Sequence, residues 1–146
     1  GGTVTGAQWD AANRGAQSVA FGLDTVASGP QTAVGGGATN TASGAISAVG
    51  GGQDNTASGS RCVVGGGEGN TAGPREYATV GGGDFNSASA EWAMVGGGHS
   101  NSASNPRATV AGGTNNSASG NASTVGGGNG LPSRRRPCPS SAITPT

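Results

Sequence analysis

Valines stand at Val19, Val34, Val49, Val64, Val80, Val95, Val110 and Val125, separated by 15, 15, 15, 16, 15, 15 and 15 residues. A fixed period of this length is the signature of a stacked repeat, in which each unit is one small piece of structure that cannot bury its apolar face alone. The unit reads approximately V-G-G-G-x-x-N-T-A-S-G followed by four variable residues. Its Asn recurs at Asn40, Asn55, Asn70, Asn86, Asn101 and Asn116, and its Ala at Ala27, Ala42, Ala57, Ala72, Ala88, Ala103 and Ala118. The single 16-residue step falls where Pro74, Arg75, Glu76 and Tyr77 follow Ala72. An extra residue in that connection leaves the strands on either side in register.

Fifteen residues are too few for a helix-turn-helix unit, and Gly, Asn, Ser and Thr are poor helix formers. The spacing instead suits one flattened turn of a coil. The expected fold is all-β: a parallel β-solenoid of about eight 15-residue coils, each with two short strands and two turns. Side chains alternate across a strand, so an inward Val and an inward Ala per coil leave their neighbours pointing out. The core is then a thin layer, in keeping with only 17 Leu, Ile, Val and Phe residues in 146. Gly after each strand supplies positive φ at the corners, and the Asn column is suited to a ladder that satisfies corner backbone groups. Such a stack needs covered ends. Thr5 is expected to cap a short N-terminal helix through Trp9, Ala11 and Ala12 that stops at Gly15. The division expected is therefore a cap over 1–17, the solenoid over 18–130 and a Pro/Arg-rich tail over 131–146 that contains Arg134, Arg135 and Arg136.

Seven arginines balance seven carboxylates, with no lysine, for a formal net charge of zero. Neutrality gives no electrostatic reason to bind nucleic acid or an anionic membrane surface. No apolar run is long enough for membrane insertion, and the first residues do not form a signal peptide. The chain begins without Met, so a processed product is expected. No enzyme is expected: His99 is the sole histidine, and no Ser or Cys has a base partner for a nucleophilic triad. Asp54, Glu68 and Asp84 follow the glycines in shifting columns, whereas a repeated metal cage needs its ligand in every coil, so no metal and no cofactor is expected. The Gly-Gly-Gly runs lack the Lys and the following helix of a phosphate-binding loop. Cys62 falls in a column of small residues with Ser47, Ala78 and Ala108 and is expected to face inward. A bridge to Cys138 is the alternative, permitted in an extracellular setting. Asn115 and Asn121 begin glycosylation sequons that matter only in a eukaryotic secretory pathway.

Two likenesses attach to these residues. The segments S-V-A-F-G at Ser18–Gly22 and T-V-A-S-G at Thr25–Gly29 resemble the head repeats of YadA-like trimeric autotransporter adhesins, over roughly residues 16–128. That resemblance implies a left-handed parallel β-roll, assembled as a homotrimer on a cell surface and directed at a host or matrix surface. Later coils depart from it, placing Gly36, Gly51 and Gly66 where the adhesin strand has its second apolar residue. The V-G-G-G-x-x-N-T-A-S-G pattern is also similar to repeat-built ice-binding proteins of cold-living algae and plants, which implies a free-standing, secreted solenoid.

The outward residues beside the Ala column supply a reason to weigh the second likeness. Thr41 and Ser43, Thr56 and Ser58, Thr71 and Gly73, Ser87 and Ser89, Ser102 and Ser104, and Ser117 and Ser119 form two files of small hydroxyls. Their repeat is about 4.8 Å along the stack and about 6.7 Å along the strand. A regular grid of that kind approximates oxygen spacings on ice and can hold water in an ice-like arrangement. The function expected is therefore extracellular ice binding by a monomer through this face. A trimeric adhesin head or surface-fibre module is the alternative, and it would use one sheet face to meet two partners. The outward column on the other sheet, Ala33, Ala48, Val63, Thr79, Met94, Thr109 and Thr124, is mixed in polarity and leaves that choice open.

Overall fold

The computed structural model describes residues 15–130 and 132–133. The expected capping helix falls on residues outside these. The described chain is all-β and winds as a parallel β-solenoid of about seven turns, with a repeat of about 15 residues. One sheet, the valine sheet, runs from Val19–Ala20 through Ala33–Val34, Ala48–Val49, Val63–Val64, Thr79–Val80, Met94–Val95 and Thr109–Val110 to Thr124–Val125. The other, the alanine sheet, runs from Val26–Ala27 through Thr41–Ala42, Thr56–Ala57, Thr71–Ala72, Ser87–Ala88, Ser102–Ala103 and Ser117–Ala118 to Pro132–Ser133. A third row of single parallel bridges, Leu23, Ala38, Gln53, Glu68, Asp84, His99, Thr114 and Asn129, closes the coil between them.

Each strand is only two residues long because a corner begins on either side of it. The corners use left-handed backbone in two columns. One comprises Gln17, Gln31, Ile46, Arg61, Tyr77, Trp92, Arg107 and Ala122, and the other includes Asp24, Thr39, Asp54, Phe85, Ser100 and Asn115, all with φ between 52° and 60°. That conformation costs an L-residue roughly 1–2 kcal/mol, yet it is repeated because it turns the peptide against the run of the ladder. Strand N–H groups donate to the following coil, as Thr41 N does to Asn55 O at 2.8 Å. Left-handed residues donate to the preceding coil, as Ile46 N does to Pro30 O at 2.9 Å and Asp54 N to Ala38 O at 3.1 Å. At the Gly37, Gly52, Gly67 position even this is not available to another residue. A Cβ on Gly37 would run into the carbonyl oxygen of Gly52 in the next coil, and its φ is +87°.

Val34, Val49, Val64, Val80, Val95 and Val110 are buried against the Ala42 to Ala118 column, as their spacing predicts. The layer is richer than one Val and one Ala, however. The residue two before each Val is also buried: Thr32, Ser47, Cys62, Ala78, Ala93, Ala108 and Ser123. So are the six Asn of the repeat column, Asn40, Asn55, Asn70, Asn86, Asn101 and Asn116. The Asn ladder is a side-chain-to-backbone device. Asn70 Oδ1 accepts from Asn86 N at 2.9 Å, while its Nδ2 donates to Gly66 O within its own coil and to Gly83 O in the next. The same three bonds recur along the column, and Thr25, one coil before Asn40, is also buried and donates its hydroxyl to Phe21 O.

One assignment is corrected. Val19 does not continue the inward column: it pairs with Ala33 and is 40% exposed, while Ala20 pairs with Val34 and is 2% exposed. The first corner holds Phe21 and Gly22 where the next holds Gly35, Gly36 and Gly37. This coil is one residue short, and an odd shift exchanges the two faces of a strand. The 16-residue step lies where it was expected, since Ala57 pairs with Ala72 and Thr79 with Val63, leaving the added residue between Ala72 and Thr79. Gly15–Gln17 form a corner in register with later ones, and Pro132–Ser133 pair with Ser117–Ala118.

Candidate functional site: the outer face of the alanine sheet

The alanine sheet sets Thr41, Thr56, Thr71, Ser87, Ser102 and Ser117 in one line, because each pairs in register with the next. The inward Ala after each forces its neighbour outward, and these residues are half-exposed. The second file lies just past the strand ends but stays in the ladder. Ser43 N donates to Ala57 O at 3.0 Å, Ser58 N to Ala72 O at 2.9 Å, Ser89 N to Ala103 O at 3.0 Å and Ser104 N to Ala118 O at 3.2 Å. Ser43 and Ser104 are exposed, and Ser58, Ser89 and Ser119 half-exposed. All the hydroxyls expected to form the site are thus brought onto one face. Ser28 extends the second file by one coil, since its N–H donates to Ala42 O at 3.1 Å and it is exposed. Its place was readable from the spacing to Ser43, but its strand partner Val26 hid it, breaking the Thr/Ser pattern.

The chemistry of these hydroxyls differs from that of the inward ones. Ser18 and Thr32 donate to Gly15 O and Gly29 O at 2.7 and 2.8 Å, and Ser47 donates to Ala57 O at 3.3 Å. Among the described residues, none of the hydroxyls in the two outward files bonds to the protein, so each has its donor and both lone pairs for water. No charged side chain belongs to either file. Asp24, Asp54, Glu68 and Asp84 lie on the corner leading into this sheet, whereas Arg61, Arg75, Glu76, Glu91 and Arg107 lie on the corner leading out of it. The file has one gap, at Gly73, whose backbone opens the 16-residue coil with φ +126°.

Other candidates stay apart from this face. His99 stands in the bridge row with its ring edge-on to Phe85, centroids 6.0 Å apart. Asp54 accepts hydrogen bonds from the Thr39 hydroxyl and from Gln53 Nε2, and these hold its carboxyl below the ordinary value. Cys62 is fully buried with its thiol donating to Arg75 O at 3.1 Å, and loss of water around it raises its pKa. Cys138 lies outside the described residues. No family model matches the chain, and no curated protein matches it.

Proposed function

We propose that the protein is a secreted ice-binding solenoid whose alanine sheet adsorbs to ice and limits crystal growth. The observation that carries this reading is the registered pair of hydroxyl files, free of internal hydrogen bonds and of charge, on a backbone that repeats every coil. Ordered water on such a grid is held by many equivalent weak contacts, and their simultaneous engagement makes adsorption persistent. Thr contributes more than Ser, because its methyl adds apolar contact and β-branching leaves less χ1 freedom to lose. The coils bearing Thr41, Thr56 and Thr71 therefore dominate.

The test is the freezing-point gap and crystal habit for Thr56→Tyr, beside the parent and Thr109→Tyr on the opposite sheet. Thr56→Tyr raises a ring above the face and abolishes crystal shaping, while Thr109→Tyr retains it. A parent protein that leaves crystals unshaped refutes the proposal, and equal loss in both variants shows that another face is used.

A second reading, a trimeric adhesin-like head or surface-fibre module, is favoured by the outer side of the valine sheet. Val19, Val63 and Met94 are 40%, 41% and 48% exposed there. Only three such residues spread along a column otherwise of Ala and Thr make a thin apolar seam, which favours the monomer. Sedimentation at several dilutions separates the two, since a trimer persists as a mass near three chains.

A further inference from the structure

We propose that the corner bearing Tyr77, Glu91 and Trp92 is a binding site for a neutral polysaccharide chain, separate from the hydroxyl face. The left-handed corner column points its side chains outward one coil apart, about 4.8 Å, so planar groups on successive coils lie face to face. The Tyr77 and Trp92 rings stack with centroids 4.0 Å apart and planes 3° from parallel. Arg61, one coil earlier, holds its guanidinium 5.3 Å from the Tyr77 centroid. The other face of Trp92 looks toward the coil of Arg107. Among the described residues no ring or guanidinium stacks on it, and Trp92 is 48% exposed.

Glu91 in the same coil and Arg107 in the next flank this open indole face, and further polar groups lie beside the stacked Tyr77. Trp92 Nε1 donates to Glu91 Oε1 at 2.9 Å, which fixes the ring's orientation. Glu76 pairs with Arg61 at 3.8 Å. The side chains of Arg75 and Arg107 meet no partner among the described residues. The added residue of the 16-residue coil falls in this corner, where Pro74, Arg75, Glu76 and Glu91 line an open recess of about 460 Å³. No other described part of this Gly/Ala/Ser/Thr scaffold gathers aromatic rings, carboxylates and guanidinium groups together.

The chemistry selects the ligand class. A bare indole face stacks on the C–H face of a pyranose, an apolar surface rimmed by polar groups. Carboxylate oxygens accept from vicinal hydroxyls and guanidinium N–H groups donate to them. At the open face one carboxylate, Glu91, balances one guanidinium, Arg107, and farther along Glu76 is paired with Arg61, so a strongly charged ligand gains little at the indole. From Arg61 to Arg107 the ridge spans three coil steps, about 14 Å. That is far too slender for a protein interface of about 800 Å² per partner, but it suits a single extended chain.

Electrophoresis of the full chain through native gels containing starch, xylan, mixed-linkage glucan or galactan, with alginate as an acidic comparison, tests this. Migration is retarded by at least one neutral polymer, and Trp92→Ala weakens the apparent affinity about tenfold. Ala122 already occupies the same corner position at φ 53°, so the variant keeps its fold, checked by an unchanged melting curve. Absence of retardation by every neutral polymer overturns the proposal. So does retardation that Trp92→Ala leaves intact, or retardation by alginate alone that is lost only in Arg75→Ala.

Discussion

Replacing Asn70 with Ala removes one link of the ladder and tests whether backbone satisfaction or apolar burial holds the coils together. The side chain is fully buried and makes its three bonds to Asn86 N, Gly66 O and Gly83 O. Gly83 O also accepts from Glu68 N at 3.0 Å, so it keeps a partner. The Asn86 N–H, in a buried residue, loses its only one. Gly66 O loses one too, but its residue is half-exposed and water repairs part of the loss. One orphaned buried donor costs about 1–3 kcal/mol, and the weakened carbonyl with the small void brings the total to about 2–4 kcal/mol. For a chain of this size that is a fall in Tm on the order of 10 °C, read by far-ultraviolet circular dichroism. Asn70→Asp sharpens the test. Ionised, its carboxylate faces the Gly66 and Gly83 carbonyls with no donor; protonated, it regains one. This variant is less stable than Asn70→Ala at neutral pH and recovers as pH falls. If Asn70→Ala melts within a degree or two of Thr71→Ala on the outer face, the ladder is incidental and the reasoning fails.

Val80→Asp places a charge in a layer one side chain thick between Val64 and Val95; loss of β circular dichroism over several coils is expected, and a retained melting curve would show that the column faces outward. Native Cys62 should resist alkylation at pH 8 and react only as the coil opens. Because its folded pKa is raised, stability falls as pH climbs past the ordinary thiol value of 9.0, and Cys62→Ala flattens that alkaline limb. Asp54 should titrate below 3.8 by carbon-detected NMR, with Thr39→Val moving it back up. Its folded pKa is depressed, so its contribution is present above the unfolded value and disappears as pH falls through the folded one.

The fold was legible because a stacked coil writes each structural requirement into the sequence many times. Val at one position and Ala seven or eight residues earlier name the two sheets, and their repetition gives the register. The extra residue after Ala72 was placed for the same reason: both columns resume intact beyond it. Legibility failed where a coil broke the count. Val19 sits fifteen residues before Val34 and matches the pattern by type, yet a corner with one residue fewer moves it to the outside. Nothing in the side chains marks that shortening, because Ala20 fills an inward place as readily as Val. The burial of the Ser47, Cys62, Ala78 column could be read from its small size, but its depth, three columns and a buried amide across one coil, depends on corner geometry.

The candidate site was legible for the opposite reason to the core. Inward positions are held to Val, Ala, a small residue or the ladder Asn, so they describe packing and backbone satisfaction and nothing else. Outward positions are free to vary, and the valine sheet does so, from Ala33 through Val63 and Thr79 to Met94 on the same column. On the alanine sheet the outward strand position does not drift, being Thr or Ser in every coil from Thr41 to Ser117, and the file beside it is Ser throughout but for Gly73. Both faces stand on the same scaffold with the same backbone spacing, so folding alone gives no ground for uniformity on one and variety on the other. A surface demand does, and a crystal plane, which presents the same lattice at every coil, demands uniformity. A single ligand pocket demands the reverse: one locally irregular place, such as the corner of Tyr77 and Trp92, where the period itself gives way by a residue. The two kinds of departure from a neutral repeat, excess regularity on one face and concentrated irregularity at one corner, are what the proposed ice face and the proposed corner site respectively require.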